Sequence, residues 1–297
     1  MSEVKTKCGY VTIFGLPNAG KSTLMNALLG VNLSIVNKKA QTTRNRILGI
    51  LTEDDYQAIF LDTPGVLEPK YELQKFMQKE IKTSLEEADV VMHILDIAKV
   101  SEKSYTEYQN LYGSLLTDKK VITVLNKSDI VTKDDILVAI GMLSEKFGVE
   151  DIVPVSALNG YNIPEVKKMI ADDLPEMPFL YDEDTLTDRP ERFFVSEMIR
   201  QKTLELLQDE IPYSIMVEVI EFKERDNGKD YISAEIITEK ESQKTIIIGS
   251  KGEMLKRIGQ HARKNIERFL GREVFLEIFV KVRKNWRKNE NFLRSKF

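Results

Sequence analysis

The chain has 297 residues, enough for about two domains, and 42% of them are hydrophobic and 30% charged. This composition is typical of an ordinary globular protein and excludes a fibrous or low-complexity chain. The formal net charge of −4 hides a gradient, because residues 1–189 hold 21 Lys and Arg against 29 Asp and Glu, whereas residues 244–297 hold 15 against 5. A basic C-terminal part predicts contact with a polyanion.

Strand and helix patterns alternate in the first half of the chain. Strands are predicted at 10–14, 46–51, 57–61, 88–95, 120–125 and 151–155, and helices at 20–30, 72–87, 101–116, 133–147 and 162–172. The alternation predicts an α/β fold with a mainly parallel sheet covered on both faces. Only Thr52 to Tyr56 separate the second and third strands, so these two are predicted to form an antiparallel hairpin.

The pattern changes after residue 173. Leu174 to Pro190 contains three prolines and the acidic run 182–184, which predicts a linker. The remaining predictions are a helix at 191–208, strands at 213–222 and 231–238 joined by the turn signal 226–228, an apolar run ending at Ile248, a long helix from Gly252 and a strand at 273–282. This order indicates a smaller α+β domain.

Residues 15–22 read G-x-x-x-x-G-K-S, the loop that cradles the phosphates of a nucleotide. Its glycines bring backbone N–H groups close to phosphate oxygens, Lys21 reaches the β- and γ-phosphates, and the Ser22 hydroxyl is a ligand for Mg²⁺. An apolar strand precedes the loop and a helix follows it, which argues against a chance match. The predicted nucleotide-binding residues here are Gly15, Asn18, Ala19, Gly20, Lys21, Ser22 and Thr23.

Two further segments complete the phosphate end of the predicted site. Asp62-Thr63-Pro64-Gly65 ends a strand, so that Asp62 can hold Mg²⁺ through water and the Gly65 N–H can bond the γ-phosphate. The segment 39–44 supplies Thr43 as the second hydroxyl ligand for Mg²⁺, with Thr42 as the alternative. We therefore expect Ser22, Thr43 and Asp62 to form a magnesium site, with Lys21, Thr43 and Gly65 serving catalysis.

Two strand-end segments predict guanine as the base. In Asn126-Lys127-Ser128-Asp129, the Asp129 carboxylate can accept from N1–H and the N2 amine of guanine, donors that adenine lacks. A buried Asp129 would be unpaired with ATP, the alternative nucleotide, and such a mismatch discriminates by ~10⁴ or more. Ser156-Ala157-Leu158 ends the last strand, where the Ala157 N–H can reach guanine O6. The order of all these segments at strand ends fits the ligand edge of an open α/β sheet.

Hydrolysis is predicted to lack the usual water-orienting side chain. The residue after Gly65 is Val66, whereas Ras-like proteins place a glutamine there. The sequence resembles the GTPases that carry G-x-P-N-x-G-K-S, in which a potassium ion held partly by the loop asparagine replaces an arginine finger. This makes Asn18 a hypothetical K⁺ ligand and catalytic residue, and the alternative is that Asn18 only shapes the loop. Slow intrinsic turnover is expected.

The second domain carries a G-x-x-G loop, Gly249-Ser250-Lys251-Gly252, at the start of a basic helix. This is the pattern with which KH domains clamp single-stranded nucleic acid, and the alternative is a solvated basic face. The predicted RNA-binding residues are Gly249, Ser250, Lys251, Gly252, Lys256, Arg257, Arg263 and Lys264. For the tail 281–297, with Trp286, Phe292 and Phe297, RNA contact, membrane-surface contact and simple packing remain open.

The few histidines and the one cysteine have simpler interpretations. His93 lies in an apolar strand and is predicted to be a satisfied core histidine, and His261 a surface or RNA-facing residue. Cys8 is predicted to pack in the core and excludes an intramolecular disulfide. No signal peptide or membrane-spanning run is recognisable, so a cytoplasmic location is expected.

Over its whole length the sequence resembles the Era family of bacterial GTPases, within the TrmE-Era-EngA-like group. The segments that carry the resemblance are 15–24, 39–44, 62–65, 126–129 and 248–259. The resemblance implies a P-loop GTPase domain at 1–173, with a mainly parallel sheet and one antiparallel hairpin strand, a linker at 174–190 and an α+β type II KH domain at 191–297.

The resemblance also implies partners. These are GTP and GDP with Mg²⁺, 16S rRNA near its 3′ end, and the 30S subunit during its assembly. The nucleotide state is expected to gate RNA binding. In some members of the family, peripheral contact with the inner face of the membrane is also implied. No DNA partner is expected. Two alternatives remain: a constitutive KH-type RNA-binding protein with a structural nucleotide domain, and a tRNA-modification-type GTPase, whose C-terminal cysteine this chain lacks.

Overall fold

The computed structural model describes residues 6–37, 43–66, 69–207, 211–226 and 228–296, and Pro212 only by its backbone. The chain divides into two compact units, the first formed mainly by residues before 189 and the second mainly by Arg189–Phe297. Residues 38–42, which hold most of the predicted segment 39–44, and Asn227 of the predicted turn lie outside the described residues. No helix within the described ranges is both long and apolar enough to cross a bilayer.

The first unit is a six-stranded sheet with the strand order β2-β3-β1-β4-β5-β6. Its elements are β1 (Lys7–Gly15), α1 (Lys21–Leu29), β2 (Ile47–Thr52), β3 (Tyr56–Asp62), α2 (Glu72–Glu87), β4 (Val90–Asp96), α3 (Glu102–Leu116), β5 (Lys120–Asn126), α4 (Lys133–Phe147), β6 (Ile152–Val155) and α5 (Ile163–Asp173). Every pairing is parallel except β2 with β3, which are antiparallel. The predicted fold class and the hairpin are confirmed.

Local sequence explains why these elements form. All seven residues of β3 are buried, as expected for a strand covered on both faces. Ser101 is the N-cap of α3, and its hydroxyl accepts a hydrogen bond from the Ser104 N–H. Thr132 is the N-cap of α4, and its hydroxyl accepts a hydrogen bond from the Asp135 N–H. Each is a capping box that satisfies backbone donors with no partner inside the helix.

The segment predicted as a linker is part of the first unit, which extends to Asp188. Gln57, fully buried on β3, fixes it: its Oε1 accepts from the backbone N–H groups of Leu180 and Tyr181, each at 3.0 Å, and its Nε2 donates to the Tyr181 carbonyl at 2.9 Å. The Ile50 N–H donates to the Leu186 carbonyl at 2.9 Å. The chain after α5 therefore lies along the sheet as a strap, because buried polar partners outweigh its proline-rich composition.

The second unit has a three-stranded sheet covered by helices. Its elements are α6 (Glu191–Leu206), β7 (Met216–Lys223), β8 (Asp230–Thr238), α7 (Glu241–Ile248), α8 (Glu253–Leu270), β9 (Val274–Val282) and α9 (Glu290–Arg294). The order is β7-β8-β9, antiparallel between the first two strands and parallel between the last two. Ile258, Ala262 and Ile266 of α8 are fully buried in its core. This arrangement confirms the predicted α+β domain.

The apolar run ending at Ile248, for which the sequence predicts no element, forms α7. The Gln243 side chain starts this helix, because its Oε1 accepts from the backbone N–H groups of Glu239 and Lys240 at 3.0 Å. Such a cap offsets the low helix propensity of the three consecutive isoleucines that follow.

The tail 281–296 is packed rather than free at its two described aromatic residues. Trp286 is fully buried and its Nε1–H donates to the Ser214 carbonyl at 3.1 Å, while Phe292 is 6% exposed. Phe297 lies outside the described residues. The packing interpretation therefore holds for Trp286 and Phe292. The structure shows both rings packed inside the protein and not presented to RNA or to a membrane.

His93 is buried as predicted, but the prediction that it is satisfied was wrong. Its ring stacks on Tyr108 with 3.9 Å between ring centroids, and its Nε2 has no hydrogen-bond partner within the described part of the chain. Burial lowers the pKa of His93 to about 3. Cys8 is fully buried, which confirms its role in packing.

Candidate functional site

The carboxyl ends of four strands bring the predicted segments of the first unit to one edge of the sheet. Residues 15–22 follow β1, Asp62 is the last residue of β3, Asn126 is the last residue of β5, and Ser156 directly follows β6. In the sheet, Ile13 pairs with Asp62, and Asn126 pairs with Val155. The parallel strand directions therefore assemble the site, since their carboxyl ends open on the same side.

The loop 15–20 depends on left-handed backbone. Gly20, the N-cap of α1, has φ of 103°, and a Cβ there would lie 2.1 Å from the Nδ2 of Asn126. Asn18 also has positive φ, 63°, and its side chain is exposed. Asparagine tolerates this conformation better than most residues, which supports a loop-shaping role for Asn18. Ala19 is buried beneath the loop and Thr23 lies in the first turn of α1.

The Lys21 side chain is held inside the phosphate loop, residues 15–22. Its side chain is 6% exposed, and its Nζ donates to the carbonyls of Gly15 at 3.1 Å and Leu16 at 3.0 Å. Burial lowers the pKa of Lys21 to about 8, and the negative charge of Asp62 acts in the opposite direction. The arrangement fixes an ammonium group at the N-terminus of α1, where a phosphate is favoured.

Three side-chain oxygens meet beside Lys21. The Ser22 hydroxyl donates to Asp62 Oδ2 at 2.7 Å and lies 3.0 Å from the Thr43 hydroxyl, which is itself 3.5 Å from the same Oδ2. Asp62 is fully buried, and its Oδ1 has no hydrogen-bond partner among the residues described. Burial raises the pKa of the Asp62 carboxyl, and Lys21 and the Ser22 hydroxyl oppose that rise.

This oxygen cluster fits a magnesium ion. Mg²⁺ prefers one or two carboxylates with hydroxyls, waters and substrate phosphates, and the orphaned Asp62 oxygen lacks the positive partner that such an ion supplies. The structure therefore brings together Ser22, Thr43 and Asp62 as the sequence predicts. The alternative ligand Thr42 lies outside the described residues.

Gly65 and Val66 follow the strand that carries Asp62. The Val66 N–H donates to the Gly15 carbonyl at 3.3 Å, which ties the start of this segment to the phosphate loop. The Val66 side chain is 5% exposed and packs in an apolar cluster with Phe14 and Ile81. An aliphatic side chain in this cluster cannot orient water, as the sequence predicts.

Asn126 joins the two ends of the site. Its Nδ2 donates to the Ala19 carbonyl at 2.8 Å, and its Oδ1 accepts from the Ala157 N–H at 3.0 Å. The sequence identifies Asn126 but does not reveal this bridge. The Ala157 N–H that donates to Asn126 Oδ1 is also the group predicted to bond guanine O6. A contact with guanine therefore requires this N–H to be shared between Asn126 Oδ1 and O6.

Asp129 lies at the open edge rather than in the interior. Its Oδ1 accepts from the Ser156 hydroxyl at 2.6 Å, and the residue is exposed, which differs from the burial that sequence reasoning assumed. The protein alone does not desolvate this carboxylate, so discrimination against adenine depends on the base covering it. Leu158, 79% exposed, lies in the same loop.

Asp96 is a residue that the sequence analysis missed. It ends β4, and its Oδ2 accepts from Nζ of Lys127 at 2.6 Å. Lys127 has left-handed backbone, with φ of 67°, and this ion pair holds its side chain in place. A further carboxylate at the end of a predicted parallel strand was the signal that could have identified Asp96.

In the second unit the G-x-x-G loop connects α7 and α8. Gly249 has φ of 71°, and a Cβ there would lie 2.7 Å from the Cβ of Met254, so the tight turn excludes a side chain. Lys251 has positive φ, 50°, and Ser250 and Lys251 are exposed beside Gly252, the N-cap of α8. The loop therefore presents a cation and small residues next to a helix N-terminus.

The predicted cations of α8 are all exposed: Lys256, Arg257, Arg263 and Lys264. Arg263 pairs with Glu267 at 3.7 Å. His261 is exposed on the same helix, and its Nδ1 lies 2.7 Å from the Arg257 carbonyl. The arrangement gives a basic helix face beside the G-x-x-G loop, which is the surface that a nucleic-acid backbone requires.

Comparisons with known proteins agree with both predicted domains. A family model described as a 50S ribosome-binding GTPase matches residues 10–127, and a KH domain model matches residues 210–287. The chain is 44% identical over 291 residues to the GTPase Era of Clostridium botulinum (strain Alaska E43 / Type E3), covering 97% of each chain, and 42% identical over 296 residues to that of Geotalea daltonii, covering 99% of each.

Two solved structures are similar over nearly the whole chain. One is Era in complex with MgGDPNP and nucleotides 1506–1542 of 16S ribosomal RNA, with 43% identity, a TM-score of 0.92 and coverage of 97% of this chain and 98% of that one. The other is a variant of Aquifex aeolicus Era bound to GDP and AlF4−, with the same identity, TM-score and coverage.

Proposed function

The chain belongs to the Era family of GTPases, and we propose that it uses GTP binding and hydrolysis to control its contact with 16S rRNA during assembly of the small ribosomal subunit. The observation that carries the proposal is the cluster of Ser22, Thr43 and Asp62 beside the buried Lys21, at the same sheet edge as Asp129. These groups match the phosphate, metal and base ends of one guanine nucleotide.

Each residue has a defined task in this proposal. Ser22, Thr43 and Asp62 would hold Mg²⁺, which when bound neutralises charge on the β- and γ-phosphates. Lys21 supplies a fixed ammonium group, and the N–H of Gly65 supplies a donor for the γ-phosphate. Because the fold holds the Lys21 ammonium group and the oxygens of Ser22 and Asp62 in place through hydrogen bonds, little reorganisation of these side chains is needed to stabilise the transition state.

The attacking water is not oriented by the side chain that follows Gly65. Val66 is buried and apolar, so the water has to be oriented by backbone groups, by another side chain or by the partner. We expect slow intrinsic turnover, since a missing arginine-type charge is worth about 10³–10⁵ in rate. A potassium ion held partly by Asn18 would supply part of that charge.

Asn18→Gly separates the two roles of Asn18, because glycine keeps the left-handed backbone and removes only the side chain. GTP turnover is measured in K⁺ and in Na⁺ at equal ionic strength. If Asn18 is a K⁺ ligand, the wild type turns over faster in K⁺ and the variant shows no preference. Equal rates of the wild type in both salts would refute the potassium proposal.

The exposed basic face of α8 and the G-x-x-G loop support an RNA-binding role, and the related complex with nucleotides 1506–1542 indicates which RNA to test. Binding of that fragment is measured for the chain with GDP and with GDPNP, where we expect tighter binding with GDPNP. Lys251→Ala should weaken binding, and Lys223→Ala, an exposed lysine of β7, is the matched control. Equal affinity in both nucleotide states would rule out gating.

A peripheral membrane contact through the tail receives no support from its described aromatic residues. Trp286 and Phe292 are buried, so they are not available to enter a lipid surface. We therefore keep RNA as the partner of the second unit.

A further inference from the structure

A groove on the first unit, outside the nucleotide site, lies between α2 and α3. It encloses about 400 Å³, within the range of about 300–1,000 Å³ that is typical of ligand pockets. One wall carries Lys75, Lys79 and Lys82, which are spaced by four and three residues and therefore lie on one face of α2. The other wall and the floor are apolar, and consist of Ile81, Leu111, Tyr112 and Leu115.

The chemistry of this groove is amphipathic. Leu111 is 68% exposed, and the three lysines are also exposed. None of the described residues that line the groove is acidic, and Lys82 has only a distant partner, Glu86 at 3.8 Å. A cationic wall above an apolar floor is complementary to a helix with one acidic face and one apolar face.

Two other classes of partner fit less well. An RNA strand would pair its phosphates with the lysines and could stack a base on Tyr112, but it would leave the aliphatic side chains Ile81, Leu111 and Leu115 without a matching apolar partner. A bilayer surface would meet the rim but would not reach a floor that lies between two helices. The observations favour a protein segment.

The floor of the groove shares a buried cluster with Val66, the residue after Gly65. Ile81 belongs to the same buried cluster as Val66, and Tyr112 and Leu115 pack against that cluster. Val66 follows Gly65, the proposed γ-phosphate contact. Because packed cores transmit displacement rather than absorbing it, movement of Val66 on nucleotide exchange would shift the groove floor.

We propose that the groove between α2 and α3 binds an acidic amphipathic helix of a protein partner and that the affinity depends on the bound nucleotide. The docking surface goes beyond the proposed function. Only the nucleotide dependence of its affinity rests on the proposed function. The groove thus gives the GTPase unit a protein contact of its own, in addition to the RNA contact of the second unit.

The test uses the full chain and a fluorescein-labelled 18-residue peptide of leucine and glutamate, patterned as an amphipathic helix. Anisotropy titrations are expected to show that Leu111→Asp and Lys79→Glu each weaken binding several-fold. Matched controls are Leu137→Asp on α4, where Leu137 is 67% exposed, and Lys168→Glu on α5, where Lys168 is also exposed. Both controls should bind like the wild type.

A charge exchange makes the test independent of folding defects. The double variant Lys79→Glu/Lys82→Glu should lose affinity for the glutamate peptide by about tenfold and gain affinity for a matched leucine–lysine peptide, which a misfolded protein would not do. Loss of both peptides, or equal effects at Leu111 and Leu137, would overturn the docking proposal. The proposal would also be overturned if Leu111→Asp weakened binding of a single-stranded RNA or of phosphatidylglycerol vesicles but left peptide binding unchanged.

The nucleotide dependence is measured with GDP and GDPNP after binding of a fluorescent GDP analogue has been verified in the same sample. Different peptide affinities support the coupling through Val66, and equal affinities overturn it. A chain that binds peptide but no GDP analogue would contradict the proposed GTPase function and leave the docking surface supported, so the two failures are distinguishable.

Discussion

Asn126→Ala tests whether one buried side chain holds the phosphate loop and the base loop in register. Asn126 is 3% exposed and makes one hydrogen bond to each loop, to the Ala19 carbonyl at 2.8 Å and from the Ala157 N–H at 3.0 Å. The substitution removes both bonds and leaves a backbone acceptor and a backbone donor without their partner. It also removes the amide nitrogen that lies 2.1 Å from where a Cβ on Gly20 would be, so the loop loses a close packing partner there.

The magnitude follows from these two bonds. Each net hydrogen bond contributes about 1 kcal/mol, and a buried group left unpaired adds to the loss, so we expect a total of about 2–3 kcal/mol. A nucleotide that needs both loops in this arrangement must restore it on binding. The Kd for GDP should therefore rise by roughly 30- to 150-fold.

The assay is a titration with a fluorescent GDP analogue, with unlabelled GDP and XDP as competitors. Asn126→Ala should weaken both competitors equally, because the residue acts on loop geometry. Asp129→Asn is the control for direct base recognition, since an amide pairs with the 2-oxo group of xanthine and not with the 2-amino group of guanine. That variant should shift the preference towards XDP.

Two results would refute this reasoning. A rise in Kd of less than about threefold for Asn126→Ala would show that the bridge contributes little. A change in the ratio of GDP to XDP affinity for the same variant would show that Asn126 reads the base rather than positioning the loops.

Three further predictions follow from buried or strained groups. His93→Phe should make the first unit more resistant to acid, because the pKa of His93 in the folded protein lies at about 3, below the ordinary value of 6.5. The unfolded chain therefore binds one proton more than the folded chain between these two pH values, and the wild type loses stability as the pH falls from 6.5 towards 3. Hydrogen exchange of β4 at about pH 7 and about pH 4.5 would detect this loss, and equal pH dependence of the wild type and the variant would contradict it. Trp286→Phe should destabilise the second unit by about 1–3 kcal/mol, measured by circular dichroism on heating, because the Ser214 carbonyl loses its buried donor; an unchanged melting temperature would show that the bond is dispensable. Gly249→Ala should destabilise the second unit more than Gly252→Ala, because both glycines have positive φ but only the Cβ at Gly249 would also meet Met254. Gly252→Ala, with open space at its Cβ, should still weaken RNA binding; a larger loss of stability for Gly252→Ala than for Gly249→Ala, with RNA binding unchanged, would contradict the G-x-x-G interpretation.

Much of the site could be predicted because its chemistry is local in sequence. The residues 15–22 form a phosphate loop through their own backbone and side chains, and the strand-to-helix setting is visible in the alternation of apolar patterns. The parallel sheet then places Asp62, Asn126 and Ser156 at one edge, because the carboxyl ends of parallel strands open on the same side. For the same reason, Asp96 could have been found from its place at the end of β4.

The strap of residues 174–188 shows where composition misleads. Its prolines and acidic run indicate a linker, yet Gln57, far away in the sequence, holds it against the sheet with three hydrogen bonds. No local pattern reveals such a partner. The same applies to Trp286, for which the sequence left RNA contact, membrane contact and packing open, and whose Nε1–H donates to the distant Ser214 carbonyl.

The sequence by itself determined the nucleotide loop, the guanine-type segment 126–129, the G-x-x-G loop and the order of strands and helices apart from α7 and α9, because each depends on residues that are neighbours in the chain. Only the tertiary structure decided that Asn126 bridges two loops, that Asp129 is exposed and that His93 lacks a partner for Nε2 within the described residues. These facts depend on distances between segments distant in sequence. Burial and pairing are properties of the packed chain, and no residue carries them alone.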